Sequence, residues 1–218
     1  MNKRNIFIGL ALALIVSFVL MNNGDKSTSK NKDLATVPNQ SAVLTLKEND
    51  WSIGKKDAKV TMVEYLDFEC EACRAYHPIT KLIKEEYKNN ILFVVRYLPL
   101  PGHKNSRTAA YAVEAAGKQG KFWEMTDVIF TKQQEWGEQS TTNQKQFEKY
   151  AIEVGVNMEQ WRKDVVSDEV MKRVDDSYKE AVGLQLQGTP SFFINGKKVE
   201  NLNGYQSIKK LIEEELKK

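Results

Sequence analysis

Two cysteines in a chain of 218 residues, Cys70 and Cys73, stand two residues apart in the stretch DFECEACRAYHP, residues 67–78. Scattered at random, two cysteines would fall at this separation in only about 1 chain in 100, so the spacing calls for a chemical reason. Three readings are open: a redox couple, a pair of metal ligands, or two small core residues. The reactive form of cysteine is the thiolate, and a helix N-terminus, with unpaired N–H groups and the positive end of its dipole, favours that charge. Ala75, Ile79, Leu82, Ile83 and Tyr87 recur at three- and four-residue intervals, which predicts a helix that begins at Cys70 and runs to about Asn89. Cys73, one turn on, points to the same side and is close enough to close a short disulfide ring. Such a pair accepts attack by a substrate thiolate at Cys70 as a mixed disulfide, which is resolved or released through Cys73. A zinc site on Cys70, Cys73 and His77 would need a second close ligand pair, and His103 is the only other histidine, so metal is the weaker reading. His77 alone reads as a packed or solvated helix residue ahead of a part in exchange. Inert core cysteines would have no need of the spacing.

The elements around the pair follow from hydrophobic periodicity. VTMVEYL, residues 60–66, is nearly continuous in apolar character and predicts a central strand covered on both faces. Glu64 is the anomaly within it. Buried there, its carboxyl should have a raised pKa and exchange protons near neutrality; on a strand edge it would be a surface glutamate. ILFVVRYL, residues 91–98, is a second strand, and strand, helix, strand in close order predicts a βαβ unit with a sheet at least partly parallel. Pro78 lies inside the intervening helix, where its ring crowds the carbonyl of Arg74 and removes one hydrogen bond, so a kink is expected after two turns.

From about 106 to 184 the period turns helical, and four or five short helices are expected as an inserted or capping subdomain. Asn157 with Gln160, and Ser167 before DEV, read as N-caps. A strand returns in PSFFIN, residues 190–195, followed by the hairpin signal Asn195-Gly196-Lys197 and a last amphipathic helix over about 205–218.

Lys3 and Arg4 precede an uncharged run of 16 residues from Ile6 to Met21. The run lies between the length of a removable signal, about 7 to 15 residues, and that of a spanning helix, about 17 to 25. Its end, FVLMNNGD, lacks small residues at the cleavage positions, which favours an uncleaved anchor over 1–21 with the body exported; cleavage would give a secreted protein. Residues 22–42 are polar and aperiodic, as expected of a tether to a domain over 43–218. With 32 Lys and Arg against 29 Asp and Glu, and no long basic run, nothing recommends a nucleic-acid groove.

VTMVEYLDFECEAC, the proline-bearing helix and GTPSFFINGK from Gly188 to Lys197 resemble the exported, DsbA-like branch of the thioredoxin superfamily, with coverage from about Trp51 onward. The resemblance implies an α/β thioredoxin fold, a central mixed sheet flanked by helices, carrying a helical insertion. It implies that Cys70 is the exposed nucleophile and Cys73 its partly buried partner, with Glu64 moving a proton to and from Cys73. It also implies that Thr189-Pro190 is a cis peptide facing the cysteines, with Thr189 offering backbone groups to an extended substrate as in β-augmentation.

The activity expected is a thiol-disulfide oxidoreductase, mainly a dithiol oxidase for reduced exported proteins, with no bound cofactor. Reoxidation would come from a DsbB-like, quinone-linked membrane partner or small oxidants. A reductase or isomerase, and a non-catalytic peptide-binding or chaperone module, are the alternatives. The sequence departs from strongly oxidising members, which often have a histidine between the cysteines. Here the dipeptide is Glu71-Ala72, and Glu71, with Asp67 and Glu69 nearby, should oppose ionisation of Cys70 and make the couple less oxidising.

Overall fold

The computed structural model describes residue 44 and residues 46–139 and 143–218, so the expected anchor and tether lie outside the described residues. Five strands form one sheet in the order β1-β3-β2-β4-β5. They are β1 (Trp51–Gly54), β2 (Val60–Leu66), β3 (Ile91–Tyr97), β4 (Ser191–Ile194) and β5 (Lys197–Lys198). β2 runs parallel to β3 and antiparallel to β4, while β1–β3 and β4–β5 are antiparallel, which makes the sheet mixed.

Why β2 reads as one apolar run is visible in its two faces. Successive side chains alternate across a strand. Val60, Met62 and Leu66 join Phe93, Val95 and Cys73 on one side, while Val63 and Tyr65 join Leu92, Val94 and Ala181 on the other. Both sides are covered, so no solvent-facing polar alternation survives. Glu64, in register with Val95 on one neighbour and Phe192 on the other, falls on the cysteine side.

Between β2 and β3 lies α1 (Glu71–Glu86), which runs unbroken through Pro78. It stops at Glu86, three residues short of the expected Asn89, because Asn90 and Ile91 donate back to the Tyr87 carbonyl and turn the chain directly into β3. Ile208 and Ile212 of the last helix, α8 (Gly204–Leu216), join the same core cluster as Ile83 of α1. Tyr87 Oη donates to Glu213 Oε1 at 3.1 Å and fastens α8 to the end of α1.

Six helices connect β3 to β4 among the described residues: α2 (Ser106–Gly117), α3 (Phe122–Thr131), α4 (Gln133–Trp136), α5 (Gln144–Glu153), α6 (Met158–Asp164) and α7 (Asp168–Gly183). One more than the upper expectation, the single-turn α4 is too short to show a period. Asn157 and Ser167 cap α6 and α7, accepting from the backbone N–H groups of Gln160 and Val170. α7 returns over the sheet: Ser177 Oγ accepts from Tyr97 N at 2.6 Å and donates to the Tyr97 carbonyl. In the β4–β5 hairpin, Asn195 and Gly196 hold φ of 47° and 78°, the left-handed pair that a tight two-residue turn requires.

Gly117 gives a packing test. A Cβ there would lie 2.5 Å from the Trp51 ring, which is itself stacked on Phe122 with ring centroids 4.6 Å apart. Gly117→Ala gains about 1 kcal/mol of helix preference, but forcing a methyl against two stacked rings costs about 1–3 kcal/mol. The steric term wins, and urea unfolding should show the variant less stable than the parent.

Candidate active site

Cys70 is the N-cap of α1, with φ −73° and ψ 124°, and no side chain caps the helix end in its place. Its sulfur therefore sits where the first N–H groups of the helix are unpaired. The Thr189–Pro190 peptide ahead of β4 is cis, and Cys70 Sγ lies 3.4 Å from the Thr189 carbonyl oxygen, to which the thiol donates. The Thr189 hydroxyl is buried and has no partner of its own. Cys73 is fully buried, and Asp67 N donates to its sulfur at 3.5 Å. Both cysteines are free thiols.

The two thiols are driven apart in acidity. Cys70 is lowered to about 5, first by a hydrogen bond from Cys73, against the opposing effect of burial, and further by the N–H groups of Cys73 and Ala72. Cys73 is pushed well above its ordinary value by burial, by its bond to Cys70 and by the charges of Cys70 and Glu64. Cys70, expected to be the exposed nucleophile, is itself buried at 7% exposure, and ionisation goes to it as the less enclosed of the two sulfurs.

Glu64 is only 3% exposed. Burial raises its carboxyl to about 7, with the Lys84 ammonium opposing. Lys84 is in turn lowered by burial, its Nζ lying 4.6 Å from the Trp123 ring centroid and 5.1 Å from that of Phe93. The surface alternative for Glu64 does not describe this position.

Glu71 is exposed on the first turn of α1. Its carboxyl lies below the usual range chiefly through a hydrogen bond with Glu138, whose own carboxyl the same contact raises. Asp67 and Glu69, expected to repel a thiolate, are consumed by the turn that leads into the helix. Asp67 accepts from Glu69 N and Leu100 N, each at 2.8 Å, and from His103 Nδ1 at 2.7 Å. Glu69 accepts from Asn105 N at 2.7 Å and Glu138 N at 2.8 Å. His77 is a packed residue, bonded to Asp127 at 2.7 Å and tilted over Phe130.

Gln133 is a site residue the sequence does not mark. From α4 its Nε2 donates to the carbonyls of Phe68 at 2.7 Å and Cys70 at 2.9 Å, so the insertion braces the turn that presents the nucleophile. Neither periodicity nor motif distinguishes it from its neighbour Gln134; only the fold brings it to the cysteines.

A family model described as thioredoxin matches residues 46–214. The chain belongs to the thioredoxin family. Among solved structures similar to this thioredoxin-family chain is alpha-DsbA1 of Wolbachia pipientis, at 19% identity and a TM-score of 0.74, covering 82% of this chain and 96% of that one. BdbD of Bacillus subtilis, in its oxidised form, matches at 26% identity and a TM-score of 0.69, covering 77% and 92%. The catalytic domain of ScsC from Proteus mirabilis matches at 22% and 0.67, covering 82% and 96%.

The fold is thus the DsbA type of thiol-disulfide oxidoreductase, thioredoxin-like with a helical insertion. In sequence, the chain is 37% identical over 156 residues to a protein named Na(+)/H(+) antiporter NhaA 1 of Mycolicibacterium gilvum, a stretch that is 69% of this chain and 24% of that protein. A protein named Na(+)/H(+) antiporter NhaA from Herminiimonas arsenicoxydans matches at 31% over 166 residues, 76% of this chain and 25% of its own length. The chain therefore spans about a quarter of the length of these curated relatives.

Proposed function

We propose that this chain is a protein thiol-disulfide oxidoreductase working mainly as a dithiol oxidase on reduced exported proteins. The observation that carries the reading is the asymmetry of the couple, with Cys70 ionising at about 5 and Cys73 held protonated by burial. A thiol of low pKa is a good leaving group, which favours transfer of a disulfide away from Cys70.

In the oxidised protein a substrate thiolate attacks Cys70 Sγ. The Cys70–Cys73 bond breaks, and Cys73 leaves as a thiolate that must take up a proton in a buried site. Glu64, poised near 7 on the same face, supplies it. A second substrate thiolate then attacks the substrate sulfur of the mixed disulfide and expels Cys70 as a thiolate. The substrate loses two electrons, and the couple gains them as Cys70 thiolate and Cys73 thiol. Thr189, whose carbonyl faces Cys70, offers its backbone to an extended substrate segment.

Turnover then needs an oxidant, for which a DsbB-like, quinone-linked membrane partner or a small disulfide serves. An uncleaved anchor over 1–21 would hold the domain on the outer side of the membrane beside such a partner. Glu71 tunes the couple, its charge next to Cys70 keeping the potential below that of a site with a cation there.

The test is capture in cells. Cys73→Ala should accumulate mixed disulfides with exported proteins, visible on non-reducing gels and lost in the Cys70→Ser, Cys73→Ala double variant. Alkylation trapping should find the unsubstituted couple mostly oxidised. Absence of mixed disulfides would overturn exchange chemistry, while a mostly reduced couple would favour the reductase or isomerase reading.

A further inference from the structure

His103 lies thirty residues beyond the cysteines, in a loop the exchange chemistry above does not use. Pro99 and Pro101 stiffen that loop, Gly102 turns it with φ of +102°, and His103 N donates to the Leu100 carbonyl. The turn brings the imidazole back onto Asp67, 2.7 Å from Nδ1 to Oδ2.

Asp67 is joined to both cysteines: its carbonyl accepts from Cys70 N at 3.2 Å, and its N–H donates to Cys73 Sγ. Its carboxyl group is fully buried and accepts from Glu69 N, Leu100 N and His103, which orients Nδ1–H toward it. The His103 side chain keeps 28% of its surface open to solvent.

We propose that His103, fastened to the residue whose backbone bonds both cysteines, is the positioning cation of the site, an imidazolium that supplies from the loop after β3 the positive charge that Glu71-Ala72 lacks.

The groups around His103 fit the role. Asp67 bonds it from the turn before α1, and Glu69, Cys70, Glu71 and Glu138 lie within electrostatic reach of it. Lys104 adjoins it in the chain, and Arg74 stands on the Glu71 side. Partial burial works against its charge, but Asp67, Glu69 and the Cys70 thiolate together raise its affinity for a proton above the ordinary histidine value.

The proposal rests on the exchange reading, and it adds a redox-linked proton. When the couple is oxidised, Cys70 carries no charge and the imidazolium loses one partner. When the couple is reduced, the thiolate returns and His103 holds its proton more tightly. By linkage, whatever the thiolate adds to the His103 proton affinity, the imidazolium adds to the thiolate. A histidine that only buttressed the loop through Asp67 would titrate alike in both states.

The experiment is an NMR titration of the His103 ring protons in the disulfide and dithiol proteins, with His103→Gln assigning the resonance between the two histidines. The midpoint should be higher in the dithiol form by about half a unit to one unit, the scale of a nearby opposite charge in partly solvated surroundings. His103→Gln should raise the Cys70 thiolate midpoint by the same amount and make the couple about 3- to 10-fold easier to keep oxidised in a glutathione equilibrium. Equal His103 midpoints in the two states, with an unshifted Cys70 midpoint in the variant, would overturn the proposal. If glutathione could not form the Cys70–Cys73 disulfide at all, the exchange reading itself would have failed, which is a different result.

Discussion

Cys70→Ser is expected to abolish thiol exchange, and alkylation of Cys70 in the unsubstituted protein should follow a single ionisation with a midpoint near pH 5. Cys73 should stay unreactive in the folded protein until strongly alkaline pH, since burial is the first cause of its raised value. Magnitudes show what the low value achieves. An ordinary thiol of pKa about 8.5 is about 3% thiolate at pH 7, so full ionisation gains about 30-fold as a nucleophile. The weaker intrinsic nucleophilicity of a thiolate about 3.5 units less basic loses a similar factor, with a Brønsted slope of about 0.4–0.5. Attack is therefore about unchanged, and the gain falls on departure of Cys70 from a mixed disulfide. In Cys73→Ala the Cys70 midpoint should rise, because the hydrogen bond from Cys73 is the first cause of its depression. Rates of modification by iodoacetamide across pH 3–9 check both expectations.

Glu64→Gln is expected to separate function from stability. Its carboxyl ionises at about 7 in the folded chain against an ordinary 4.5. Between those values the folded state binds more protons than the unfolded state, so stability contributed at low pH is lost as pH rises toward 7 and beyond. The folded chain thus carries at pH 8 a penalty of the order of 3 kcal/mol that is absent at pH 4, and the glutamine variant is free of it. Lys84 loses an opposite charge in the variant only where Glu64 is ionised in the parent, near pH 7 and above, which costs some of that gain there. Denaturant unfolding should show the variant gaining on the parent as pH rises from 4 to 8. Formation of the mixed disulfide, the step in which Cys73 leaves and takes its proton from Glu64, should meanwhile slow about 100-fold at neutral pH, the lower range for a general acid–base group. Its inflection near pH 7 should vanish. A variant with an unchanged rate and the same inflection would remove Glu64 from the proton path.

How much of this was legible in the sequence depended on whether the cause was local. The cysteine spacing, the doubly covered β2, the βαβ unit, the two N-caps and the Asn195-Gly196 turn are set by neighbours within a few residues, and all are found where the pattern placed them. Glu64 was legible as an acid in an apolar strand, but Lys84 was not, since only the packing of α1 on the sheet brings the two within electrostatic reach. The turn before Cys70 was the least legible part. Gln133 from α4, and His103 and Asn105 from the loop after β3, come from two separate segments and converge on Phe68, Glu69, Asp67 and Cys70 by tertiary placement alone. The same convergence explains why Asp67 and Glu69, read as repelling charges, are acceptors already engaged.

The two-residue strand β5, Lys197–Lys198, closes one side of the sheet. A protein that handles reduced, unfolded chains meets extended segments looking for an unpaired sheet edge, and any that joined the sheet would be held rather than released. A rim only two residues long, with both side chains charged and exposed, offers such a segment too few partners to stay. On the proposed function, release of clients and freedom from co-aggregation with them would follow from the far edge of the sheet, in a pair of lysines at its rim.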